Sequence, residues 1–67
     1  PNIGLKLQAV DSEIMALVLD KLRLENIPAL PVHDSIITPY KLKKKALAVM
    51  AQSFEQVTGF AAQIKAT

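Results

Sequence analysis

The chain predicts a small α+β domain of two layers. Three observations carry this. Two amphipathic helical stretches are separated by a tight apolar hairpin, the last residues alternate apolar and polar, and the order reads α-β-β-α-β. That order implies a small antiparallel sheet of about three strands with both helices on one face. Sixty-seven residues make a single domain, or one piece of a larger protein. Pro1 fits either a processed start or a cut from a longer chain.

Pro1 to Lys6 contains Gly4 and no clear period, and reads as an extended lead-in. From Leu7 to Glu25, the residues Leu7, Val10, Ile14, Leu17, Val18, Leu22 and Leu24 largely follow helical spacing, with Met15 and Leu19 widening the stripe. A helix apolar over most of its circumference is covered on more than one side. Asn26 is a helix stop. Ile27 to Val32 reads as a strand in which Pro31 must sit where its missing N–H is not needed. Val32-His33-Asp34-Ser35 forms a polar tip, and Ser35 to Thr38 returns as a β-branched strand. Thr38-Pro39 resembles a helix start, with a capping hydroxyl before proline. Leu42, Ala46, Val49, Met50, Phe54 and Val57 then mark one face of a second helix. Gly59 ends it, and Phe60 can fold back on its last turn. Phe60, Ala62 and Ile64 alternate with Ala61, Gln63 and Lys65, which predicts a half-buried last strand.

Half the residues are apolar, which is rich for a body this small and implies a face normally covered by a neighbour. The net charge of +2 does not by itself indicate nucleic acid, but Lys41, Lys43, Lys44 and Lys45 fall within five positions. The absence of cysteine excludes a disulfide framework and a thiolate metal site, and fits a reducing cytoplasm. No apolar run has membrane-spanning length. A single histidine excludes the multi-histidine phosphohydrolases, and Ser35 has no attached base to make it a nucleophile.

The segments LQAVDSEIM and LPVHDSIITP, each leading into a helix, with a terminal strand after the second, resemble the C-terminal palm region of family A DNA polymerases and the related single-subunit phage RNA polymerases. The resemblance spans Leu7 to about Lys65 and centres on motif C, a hairpin reading Val-His-Asp. It implies a fragment of a template-directed nucleotidyltransferase. Asp34 would be a ligand of catalytic Mg²⁺, His33 would lie beside the primer's 3′ end, and Gln8 would touch the nucleic acid. The partners implied are a DNA primer and template and a nucleoside triphosphate. Ser35 stands where the DNA polymerases usually carry Glu, as in the phage RNA polymerases, so the product is left open as DNA or RNA. The short link between the first helix and the hairpin suggests a phage, plasmid or mobile-element parent.

Phosphoryl transfer needs placed positive charge more than covalent help, which two metal ions roughly 4 Å apart supply. A hairpin tip holds one carboxylate rigidly for that purpose. The second carboxylate of the family, in motif A, lies outside these residues, so the chain alone is expected not to polymerise. Lys43 and Lys44 could reach phosphates, although a solvated face is the simpler reading of such a run. The simpler readings of Asp34 and Gln8 are a turn carboxylate and a solvated residue. A rival function is a small autonomous module without catalysis, dimerising through the broad apolar face of its first helix or binding nucleic acid weakly.

Overall fold

The computed structural model describes residues 1–66. Its elements run β1 (Asn2–Leu7), α1 (Ser12–Leu24), β2 (Leu30–Val32), β3 (Ser35–Pro39), a 3-10 turn (Tyr40–Leu42), α2 (Lys43–Thr58) and β4 (Ile64–Ala66). The sheet order is β2-β3-β1-β4, and every neighbouring pair is antiparallel. The α+β architecture with a small antiparallel sheet and two helices is as expected. It carries one strand more than foreseen, placed at its centre.

That strand is the segment expected as a lead-in. Ile3, Leu5 and Leu7 turn to the helices while Asn2, Gly4 and Lys6 turn to the other face, as a period of two requires. Leu5 and Leu7 are fully buried. β1 lies between β3 and β4, so α1 and α2 each cross from one strand to a parallel strand one place removed. This is the split βαβ arrangement.

Helix α1 begins at Ser12 rather than Leu7, because the Asp11 carboxylate caps it by accepting a hydrogen bond from the Ile14 N–H at 2.9 Å. Ile14, Val18 and Leu22, one turn apart, enter the core. The C-terminus is a Schellman closure. The Ile27 N–H donates to the Leu22 carbonyl at 2.9 Å, the Asn26 N–H donates to that of Arg23 at 3.1 Å, and Asn26 takes a left-handed φ of 59°. Ile27 and Leu22 are both buried, which supplies the apolar contact of that motif. Glycine pays no Cβ penalty at such a φ, so Asn26→Gly should raise stability by about 0.5 kcal/mol, read as a higher thermal midpoint.

The expected strand from Ile27 shrinks to Leu30–Val32, since Ile27 closes the helix and Pro28 and Ala29 bridge to the edge. Pro31 is opposite Ile36, one place from the Val32–Ser35 pair that closes the two-residue turn. Alternation of bonded and unbonded pairs then points the Pro31 nitrogen to the outside of the sheet. Thr38 is not a helix cap. Its buried hydroxyl donates to the Pro28 carbonyl at 2.9 Å, pinning the approach to β2, and β3 continues through Pro39. The lysine run therefore opens α2 without a side-chain cap.

In α2 the residues Ala46, Val49, Met50 and Phe54 are buried as expected, whereas Val57 stays partly exposed. Gly59 closes the helix at φ 78°, its N–H donating to the Glu55 carbonyl. Phe60 does not fold back. It is 74% exposed, its N–H held by the Thr58 hydroxyl, and the last strand starts four residues later. Ala62 and Ile64 do pack against the core. Leu24 at the end of α1 is 73% exposed, so the broad apolar surface of that helix is only partly covered within this chain. No helix among the described residues is long and apolar enough to cross a membrane.

Candidate nucleic-acid and metal site

The two-residue turn His33-Asp34 is forced by the register, in which Val32 faces Ser35. His33 adopts a left-handed φ of 56°, a region where His is several-fold enriched among non-glycine residues but still uncommon. That conformation leaves the imidazole exposed and turns the Asp34 carbonyl toward β1, where it accepts a hydrogen bond from the Leu7 N–H at 3.1 Å. The tip is thus anchored to the central strand and is not a free loop.

The Asp34 carboxylate stays half-exposed at 44% and faces the Lys6 ammonium at 3.9 Å. A pair this open and this long is screened by water and contributes little to stability. Asp34 is therefore held in place mainly through its backbone, leaving its oxygens accessible. Lys6 pairs across the ladder with Lys65 of β4, so two lysines project from the same uncovered face, of which Lys6 meets the carboxylate. Like charges directly opposite one another are unfavourable in a sheet.

Gln8 does not open a helix. It follows β1 in a turn with Ala9, whose φ is 57°, and its N–H donates to the Gln63 carbonyl at 3.0 Å. Its side chain is exposed at the same end of the sheet as the hairpin tip, one residue beyond the Leu7–Asp34 bond. His33, Asp34 and Gln8 are thus brought to one end, as is the N-terminus of α1. A shallow, mostly apolar groove runs there between Val10, Met15 and Leu19 on one side and His33 and Asp34 on the other. Asp11 also borders it, but its carboxylate is engaged in capping.

Lys43 and Lys44 are not brought to this end. β3 leads away from the tip, and they start α2 at the opposite end, roughly 17 Å along the strand. Lys43 lies over the Tyr40 ring, 5.6 Å from its centroid, a cation–π contact that occupies it locally. The geometry thus sets Lys43 and Lys44 apart from Asp34, at the other end of β3. The lysine that adjoins Asp34 is Lys6, and Lys65 lies across the ladder from it. Read as a lead-in, the segment carrying Lys6 gives that lysine no place beside Asp34. The signal was the alternation Ile3, Leu5, Leu7 against Asn2, Gly4, Lys6.

No protein-family model matches the chain, and no curated protein or solved structure matches it. The split βαβ arrangement hosts many unrelated functions, so the topology does not name one.

Among the described residues, no three His, Cys, Asp or Glu side chains gather as a metal-binding group. Mg²⁺, however, commonly takes only one or two protein carboxylates, keeps several waters and accepts substrate phosphates. An accessible carboxylate anchored at a rigid tip fits the role of one such ligand. It does not form a complete site.

Proposed function

We propose that the chain is the motif C portion of a polymerase palm, a fragment of a template-directed nucleotidyltransferase that is inactive by itself. The observation that carries the reading is the placement of Asp34 at the tip of a β-hairpin bonded to a central strand. The carboxylate is accessible there, with His33 beside it and Gln8 at the same end of the sheet. This is the placement that the resemblance to family A palm regions calls for. A side chain turned into the core would have ended the proposal.

In the complete enzyme, Asp34 would hold Mg²⁺ together with a carboxylate from elsewhere in the longer chain. The ion would supply positive charge to the reacting phosphate oxygens. His33, exposed and rigidly oriented by the left-handed turn, would lie against the primer end, and Gln8 would contact the strand nearby. The exposed apolar residues Leu24, Leu30 and Val32 support the fragment reading, because they form surface that further protein would cover. The same surface gives the isolated chain a means to self-associate. The product, DNA or RNA, and a phage, plasmid or mobile-element parent belong to the same proposal.

The test is an NMR titration of the chain with Mn²⁺, whose paramagnetism broadens signals near the ion. Broadening should centre on His33, Asp34 and Leu7, remain unsaturated at low millimolar metal, and vanish in Asp34→Asn. Broadening centred elsewhere, or tight saturable binding by the fragment alone, would contradict a half-site completed by another carboxylate.

A further inference from the structure

The face of the sheet opposite the helices is uncovered, and its composition is divided. Leu30, Val32 and Ile37 occupy the β2–β3 side, whereas Lys6 and Lys65 stand next to each other on β1 and β4. The register places the two lysines directly opposite, with Cβ atoms about 5 Å apart. Only Lys6 has an anionic neighbour among the described residues, and that contact with Asp34 is loose and half-exposed. The pair lacks the cradle of backbone N–H groups that encloses a nucleotide's phosphates in a loop. It is instead a flat, open, doubly charged step at the end of the sheet where the hairpin tip lies.

We infer that Lys6 and Lys65 bind the backbone phosphates of a nucleic-acid strand laid across the open sheet face, a role the lysine run of α2 does not share. The inference rests on the reading of this end of the sheet as the one that meets nucleic acid. A phosphate seated between the two ammonium groups relieves their mutual repulsion and releases condensed counterions. Asp34 competes for the same Lys6, so the carboxylate and the strand share one cation. Asp34 is freed toward other partners when phosphate engages the lysine.

The experiment is a titration of the chain with a short single-stranded DNA of mixed sequence, at low salt and with EDTA present. It therefore proceeds whether or not Asp34 takes a divalent ion. Amide and side-chain NMR shifts should cluster on Lys6, Lys65 and the hairpin tip. The double variant Lys6→Gln/Lys65→Gln should weaken binding roughly tenfold on any sequence, and the slope of log K against log salt should flatten by about 1.4. Lys43→Gln/Lys44→Gln should stay within about twofold, and Asp34→Asn should tighten binding a few-fold by releasing Lys6. Thermal melts of the lysine variants should be no lower than that of the parent chain, since removing paired like charges does not destabilise the sheet. A footprint on the start of α2, a larger loss from the Lys43/Lys44 variant, or no binding at low salt would overturn the inference. Inorganic tripolyphosphate occupying the same lysines as tightly as the DNA would overturn the backbone assignment in favour of a free triphosphate. A Lys6/Lys65 footprint without Mn²⁺ broadening at Asp34 would leave the phosphate site standing and sink the polymerase reading.

Discussion

Leu5→Ala should lower the thermal midpoint by roughly 15 °C or more, and near room temperature it should leave a substantial unfolded fraction. Leu5 is fully buried in the central strand, between Ile36 of β3 and Ala66 of β4. Neighbouring strands on both sides hold the backbone, so the site cannot collapse around the missing atoms. Leu→Ala changes in such settings cost about 3–5 kcal/mol. A single core in a domain of this size supplies on the order of 3–5 kcal/mol in total. The two magnitudes are comparable, so one deletion approaches the whole stability of the fold. Leu24→Ala, at a residue 73% exposed, should change stability by no more than about 0.5 kcal/mol. Circular dichroism melts of the two variants test both statements, and equal midpoints would contradict a core organised on β1.

Under the proposed function, Asp34→Asn in a polymerase that contains this chain should reduce nucleotide addition by about a thousandfold or more, on the order of 4 kcal/mol of barrier. The amide keeps the volume and the turn but removes the negative charge that would share a metal ion. The fold should be unaffected, because the only ionic partner of Asp34 among the described residues is a half-exposed lysine 3.9 Å away. A melt unchanged to within a few degrees, combined with lost primer extension, would separate chemistry from folding. Retained extension would exclude Asp34 from the metal site. His33→Gly makes a useful companion, since the positive φ at that position favours glycine and any loss of activity would come from the imidazole.

Much of this architecture could be read from residue order. The hairpin followed from two apolar runs joined by His33-Asp34, and α2 from the spacing of Ala46, Val49, Met50 and Phe54. Gly59 closes that helix in the conformation that only glycine adopts without strain. The errors share a physical origin, in that a local preference was overridden by a partner distant in sequence. Thr38-Pro39 has the chemistry of a helix start, yet the Thr38 hydroxyl is drawn ten residues back to Pro28, and pairing with Asn2 and Ile3 keeps both residues extended. Leu7 fits the helical period of α1, yet the Asp11 cap sets the first turn and leaves Leu7 to the sheet. The His33-Asp34 turn is legible in the sequence because it is local. Its proximity to Lys6 and its separation from Lys43 and Lys44 depend on strand order, which a linear pattern does not encode.

The outward-facing nitrogen of Pro31 bears on how copies of this chain can join. Extending a sheet requires each newcomer to find donors along the rim, and at the outward-facing position of Leu30–Val32 proline offers none. Growth into fibrils or swapped ribbons is thereby confined to the far rim at Ile64–Ala66, just three residues long and bearing a lysine at its centre. A chain with so much oily surface is thus steered toward side-on, reversible clustering and away from cross-β aggregation.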